Sequence, residues 1–424
     1  MDFFKQYPSG LKLVAAKMDN FYTVSFGIFV NVGSVLEEDE TNGYSHFIEH
    51  LLFKGTKRRS ALQISEEMDD IGANINAFTA KDCTCFYTKS ASQDLEKCVD
   101  VLSDMYFNAA FPSDELEREK GVVLEEIKMC EDNPDDVSQD LISEALFYNQ
   151  SLGRTILGKP QNIKYSDRHS IQEFKNLHYI PSKTVVSVAG DFDFERLDKL
   201  VEKYFESNFS KVQQDVYSEP NVRYSSRFLH RFKKIEQVHL QIAVGGCALN
   251  SPNRHALSIL AGTLGGGMSS RLFQTVREKN GLAYSVYAYP SFYSNCGMLE
   301  IYAGLSPENT RKTCGLLQQE IRRFVDEGIT QKELDRAKAQ AVNGLYMNVE
   351  SNLTLMRLYG RCMLKVGSVY NADAEVESFK CVTAKQVNDL ASELFCQKYA
   401  CSYVGKNFVD FDAVSKLGTK SLLD

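Results

Sequence analysis

Val24-Ser25-Phe26-Gly27-Ile28-Phe29-Val30-Asn31 and, about 215 residues later, Val238-His239-Leu240-Gln241-Ile242-Ala243-Val244-Gly245 read as two versions of one apolar strand, each leading into a loop and a helix. Two further pieces repeat in the same order. Asp114-Glu115-Leu116-Glu117-Arg118 matches Lys332-Glu333-Leu334-Asp335-Arg336 at the start of a long helix. Residues 170–190 match 383–405: a helix (IQEFKNLHY, AKQVNDLASELF) runs into a strand ending in glycine (TVVSVAG, YACSYVG). Chance similarity between generic segments does not preserve both order and spacing. The chain therefore reads as an α+β protein of two homologous domains, each mixing a β-sheet with helices. The polar stretch from Ser210 to Ser226, with Pro220 and few aliphatics, suits a join. The expected division is 1–210, a linker at 211–226, and 227–424.

Bulk properties agree with two domains. A chain of 424 residues is long for one domain, and 43% apolar residues supply two cores. Net charge is −8 and no lysine or arginine run stands out, which argues against nucleic acid as a partner. Eleven cysteines without framework spacing read as free thiols in a reducing cytosol. Cys83 and Cys85 share one face of a strand-like run and read as packing residues. The first residues lack a basic segment followed by an apolar core, and no stretch approaches a membrane span. A cytoplasmic location and no membrane partner are expected.

The chemistry is concentrated in His46-Phe47-Ile48-Glu49-His50. On a helix, positions i, i+3 and i+4 share a face, so both imidazoles and the carboxylate converge. Two neutral imidazoles suit zinc, and a non-ligating carboxylate beside them can deprotonate water. The pattern is the inverted zinc-protease helix, the inverzincin motif. Its alternative is a charged surface helix with incidental histidines. The duplication supplies a control. The corresponding part of the second copy, Gly265-Gly266-Gly267-Met268-Ser269-Ser270, has no histidine, so folding of the unit does not demand one.

A catalytic zinc needs a third protein ligand. The helix after Pro112 offers Glu115, Glu117, Glu119, Glu125, Glu126 and Glu131. Glu119 and Glu126 lie two turns apart on one stripe, whereas Glu125 is about 100° around from Glu126. Glu119 and Glu126 correspond to Ala337 and Gly344 of the second copy, but Glu115 retains an acidic counterpart in Glu333. Glu126 is thus assigned as ligand and Glu119 as the acid orienting a ligating histidine. Taken alone, the helix also fits a solvated acidic face.

Residues 46–56, HFIEHLLFKGT, closely resemble the pitrilysin/insulinase-type metallopeptidases. The likeness is greatest to the branch of the mitochondrial processing peptidase β-subunit and bacterial processing-peptidase-like enzymes. That family places its third ligand about 76 residues past the second histidine, in a stretch like 117–126, which lands on Glu126. The resemblance spans nearly the whole chain. It implies the processing-peptidase-like metallohydrolase fold and one zinc per chain on His46, His50 and Glu126. It further implies Glu49 as general base and Glu119 as supporting acid.

The same resemblance makes the segment from Gly72 to Thr79 a sheet edge to which peptide adds as a strand, with Asn74, Asn76 and Ala77 against the substrate. Read by itself, the segment is an ordinary hairpin with a Gly-Ala turn. It also implies that Arg277 and Tyr284 reach the bound peptide from the second domain and stabilise charge on its carbonyl. The implied activity is zinc-dependent endopeptidase cleavage of short or unfolded peptides in a closed chamber. A chamber of four such domains implies a homodimer, each site using the first domain of one subunit and the second of the other. The alternatives are a non-catalytic scaffold subunit, as in respiratory cytochrome reductase, and the metal-bearing subunit of a heterodimer. Gly265–Gly267 lacks a following Gly-Lys-Ser/Thr and reads as a turn before a helix at 269–274, allowing close approach of backbone or substrate. Thr330-Gln331-Lys332-Glu333 reads as a capping box.

Overall fold

Strands as apolar as residues 23–30 are stable only inside a sheet covered on both faces, and two such sheets form. The computed structural model describes residues 2–209, 221–406 and 422. The first half carries β1 (Asp2–Gln6), β2 (Lys12–Lys17), β3 (Thr23–Val30), β4 (Asn74–Thr79), β5 (Thr84–Ala91) and β6 (Thr184–Gly190). The second carries β7 (Phe228–Phe232), β8 (Val238–Gly245), β9 (Ala283–Phe292), β10 (Gly297–Leu305) and β11 (Ala400–Gly405). Helices of the first half are α1 (Tyr44–Leu52), α2 (Ala61–Asp69), α3 (Leu95–Asn108), α4 (Ser113–Asp132), α5 (Pro134–Leu146), α6 (Pro160–Tyr165), α7 (Arg168–His178) and α8 (Phe194–Tyr204). Those of the second are α9 (Arg254–Gly265), α10 (Thr310–Glu327), α11 (Gln331–Val349), α12 (Asn352–Lys365), α13 (Ala372–Cys381) and α14 (Ala384–Phe395).

The sheets run β1-β2-β6-β3-β5-β4 and β7-β11-β8-β10-β9. They match strand for strand, β1 being the addition in the first. In each, the second-half strand ending in glycine lies parallel to one neighbour (β2 or β7) and antiparallel to the other (β3 or β8). The duplicated segments 24–31 and 238–245 occupy equivalent central positions, as their apolar sequence requires. The fold is the mixed helix-and-sheet type expected, with two cores. One gathers Phe26, Ile28, Phe47, Leu51, Phe86 and Tyr106, and the other Leu240, Ile242, Leu260, Ile301, Phe324 and Phe395.

The compact units are not contiguous halves. One comprises the described residues of Met1–Ile127, Thr155–Ser218 and Tyr346–Asn371; the other those of Lys128–Arg154, Glu219–Leu345 and Ala372–Asp424. Helix α12 therefore covers β2, β3 and β6, while α5 covers β8 and β11. Each sheet has a second face to bury, and the covering helix comes from the other half of the sequence. The contacts are specific. Asn352 donates to the Thr23 carbonyl at 3.1 Å and accepts from Ser25, and Ser187 donates to the Met356 carbonyl at 2.7 Å. In the other unit, Gln241 donates to Ser138 Oγ at 2.9 Å, and His239 Nδ1 lies 2.8 Å from Asp135. Of the expected linker 211–226, residues 211–220 lie outside those described.

Smaller expectations resolve similarly. The turn between β4 and β5 is at 80–83, closed by Ala80 N–H to the Cys83 carbonyl; Gly72-Ala73 instead precedes β4, and Gly72 has φ +61. The segment after the triple glycine is helical from Arg271 and becomes a π-helix at Phe273–Glu278, later than expected. Gly265 packs its backbone against Ala288, where a Cβ would clash. Thr330 and Glu333 form the capping box. All eleven cysteines are free, with Cys83 and Cys85 buried. Among the described residues no helix is long and apolar enough to cross a membrane.

Candidate metal centre

Helix α1 has two faces. Phe47, Ile48, Leu51 and Leu52 are fully buried in the core, which turns His46, Glu49 and His50 toward α4. Its start is held by a buried carboxylate. Glu37 accepts from the backbone N–H of Gly43 at 2.8 Å and of Ser45 at 2.7 Å, and from Asn42 Nδ2 at 2.9 Å. These are helix-terminal N–H groups that would otherwise lack acceptors. Gly43 sits at φ +105, and a Cβ there would press on the Leu157 carbonyl, so glycine is required. Sequence reading missed Glu37, because it opens an acidic run (Glu37-Glu38-Asp39-Glu40) in which no member stands out.

Helix α4 brings its acidic stripe opposite. Glu126 Oε2 lies 3.3 Å from His50 Nε2 and 3.7 Å from His46 Nε2. The ligand atoms of His46, His50 and Glu126 all fall within 4.8 Å of one another, the one such grouping among the described residues. Glu125 faces outward and is exposed. One helical turn pair earlier, Glu119 is 4% exposed; its Oε1 is 2.9 Å from His50 Nδ1 and its Oε2 is 2.8 Å from Lys54 Nζ. Lys54 is a second residue that sequence reading left unused.

The electrostatics favour a positive charge at the convergence point. Burial lowers the His46 pKa to about 4, so its imidazole is neutral and a lone pair is available. Burial also opposes charge on His50, but the hydrogen bonds to Glu119 and Glu126 outweigh it and raise its pKa to about 9. Glu126 is held below the ordinary carboxylate range, first by its bond to His50. Glu119 is also lowered: burial alone would raise it, but His50 and Lys54 prevail. Two imidazoles and an ionised carboxylate of this kind fit a divalent metal such as zinc. Glu49 stands outside the three-atom cluster. Burial pushes its pKa up, against a hydrogen bond from Thr79 and the field of His50.

The remaining expected site residues fall in two places. Asn74, Asn76 and Ala77 lie on β4, the end strand of its sheet, with both asparagines exposed. Asn76 Oδ1 accepts the Ala77 N–H at 2.8 Å. Arg277 and Tyr284 belong to the other unit. There they meet each other, the guanidinium 5.2 Å from the Tyr284 ring centre and 4.9 Å from that of Phe273. Tyr284 is 74% exposed on β9, the end strand of the second sheet.

A two-unit fold of this topology, with an inverted His-x-x-Glu-His helix facing an acidic stripe, defines a class of metallopeptidase-like proteins. The chain belongs to the M16 (insulinase) peptidase family: residues 13–160 match the insulinase M16 peptidase model, and residues 167–341 match the M16 inactive domain. It is 38% identical to an uncharacterized zinc protease of Bacillus subtilis (YmxG), over 93% of this chain and 96% of that protein. It is 35% identical to an uncharacterized zinc protease of Streptomyces coelicolor, over 94% and 88%. Among solved structures, a protease from Helicobacter pylori superposes with a TM-score of 0.88 at 21% identity, covering 96% of this chain and 99% of that one. An M16 inactive-domain structure from Pseudomonas fluorescens superposes at 0.89 and 19% identity, over 96% and 98%. A chain of complex III2 from Candida albicans gives 0.83 at 18%, over 95% of each. Identities this low establish the shared fold alone.

Proposed function

We propose that this protein is a zinc-dependent endopeptidase acting on short or unfolded peptides. The observation carrying this reading is the convergence of His46 Nε2, His50 Nε2 and the Glu126 carboxylate beside a non-ligating Glu49. The family's protease relatives agree with it. His46, His50 and Glu126 would hold one zinc per chain. When bound, zinc would supply Lewis acidity, making water a stronger acid and a carbonyl a better electrophile.

The chain's own groups account for the rest. Glu49, raised in pKa by burial, takes the proton from the attacking water and later delivers it to the departing amine. Glu119 holds a proton on His50 Nδ1, so the proton that a metal would displace is the one on Nε2. Among the described residues the outer edge of β4 pairs with no strand, so a peptide can add there through main-chain hydrogen bonds, past Asn74, Asn76 and Ala77. Main-chain pairing tolerates varied side chains. Arg277 and Tyr284 are proposed to steady the substrate carbonyl, supplied by a second copy of the chain in a closed homodimer. A native mass of one chain, or of a complex with a different chain, would overturn that assembly.

Glu49→Gln is expected to retain zinc and lose cleavage of a quenched peptide. His46→Ala is expected to lose both. Equal peptide turnover by Glu49→Gln and the wild type would overturn the base assignment, and a zinc-replete wild type that cleaves no peptide would overturn the reading.

A further inference from the structure

We infer that Thr79 is a positioning residue: its hydroxyl holds the Glu49 carboxylate and ties the base to the strand on which substrate is laid. The inference rests on the peptidase reading above. Thr79 Oγ1 donates to Glu49 Oε2. Among the described residues, no other side chain donates to Glu49. A carboxylate on a helix has rotamer freedom, and a base in the wrong rotamer cannot reach its proton. The Thr79 hydroxyl removes that freedom.

The donor is itself rigidly placed. Thr79 ends β4 and pairs with Thr84 of β5 in the sheet register. Thr84 Oγ1 in turn donates to the Val32 carbonyl at 2.9 Å, and the turn beyond is closed by Ala80 N–H to the Cys83 carbonyl. Side chains alternate along a strand, so Thr79 shares a face with Ala77 and Ile75, both packed against the core. Helix α1 packs on that same strand. One strand thus does two things: its outer edge sets the register of an added peptide, and its last side chain fixes the base. The offset between scissile carbonyl and base is then a property of β4, two residues past Ala77. A β-branched threonine, restricted at χ1, suits that role better than a flexible donor.

Thr79→Val keeps shape and β-propensity and removes the donor. It is expected to lower kcat about 10- to 100-fold, the range for lost supporting hydrogen bonds at a metal site, with KM and zinc content within about twofold of wild type. Thr79→Ser restores the hydroxyl and is expected to recover kcat to within about threefold. Unchanged kcat in Thr79→Val, an effect on KM alone, or a serine variant as slow as valine would each overturn the inference. Glu49→Gln assayed in parallel separates the two levels. A wild type no more active than Glu49→Gln indicts the peptidase reading, whereas an active wild type with dead Glu49→Gln and normal Thr79→Val indicts Thr79 alone.

Discussion

His50 Nδ1 lies 2.9 Å from Glu119 Oε1, and the far oxygen of that carboxylate is 2.8 Å from Lys54 Nζ. The ring is therefore fixed from behind by an anion that is itself clamped. A hydrogen bond from Nδ1 aims the other ring nitrogen at Glu126 and His46. In the proposed zinc site the orientation and basicity of His50 would thus be set one layer away from the ion.

Replacing Glu119 by Gln keeps the shape but removes the charge. Zinc affinity is expected to fall about 10- to 100-fold, the usual effect of losing such a partner. Competition against a chromophoric chelator measures it, and an unchanged dissociation constant would contradict the role given to Glu119.

Glu37 closes the start of α1, so Glu37→Ala leaves the Gly43 and Ser45 N–H groups buried without an acceptor. Stranding buried donors in this way costs about 1–3 kcal/mol each. Amide exchange within residues 43–50 is expected to accelerate more than in α4. Protection equal to wild type across α1 would show that the cap is dispensable.

Asn352 pins α12 onto the sheet through Thr23 and Ser25. Its replacement by Ala strands buried polar groups on β3, at about 1–3 kcal/mol. Limited proteolysis should cut first within residues 346–371 in this variant. Wild-type resistance there would mean that packing of Met356 and Gly360 suffices without the asparagine.

Lys175 is buried, its ammonium 5.7 Å from the Tyr106 ring centre and 5.4 Å from that of Tyr179, and burial lowers its pKa to about 8. An unfolded lysine keeps its proton to about pH 10.4. Between pH 8 and 10 the unfolded chain therefore binds more protons, and stability rises with pH. Below pH 8 a penalty of up to about 3 kcal/mol is in force. Lys175→Met should be more stable than wild type at pH 7, with an advantage that shrinks as pH approaches 10. A difference that does not vary with pH would refute the burial account.

Much of this was legible before folding. Apolar strands at 24–31 and 238–245 could go nowhere but the centres of two sheets. The i, i+3, i+4 spacing of His46, Glu49 and His50 needs only helical geometry. That Glu125 and Glu126 cannot both face the histidines follows from 100° per residue, and the stripe that Glu126 shares with Glu119, absent from the second copy, singles out Glu126. Glu37 and Thr79 were not legible as parts of the site, since an acid in an acidic run and a threonine ending a strand are common.

The amino-acid order by itself determined the duplicated strands and helices and the residues that share a face of each, because helical and strand periods act over a few positions. Only the tertiary structure decided which surfaces meet. Helices α5 and α12 each carry a face able to cover a sheet, and nothing within either names the sheet in the opposite half of the chain. Hydrogen bonds across 327 positions, as between Ser25 and Asn352, or across 30, as between Thr79 and Glu49, depend on shape and on satisfying buried polar groups in three dimensions. Those terms have no period along the chain, so no local pattern announces them.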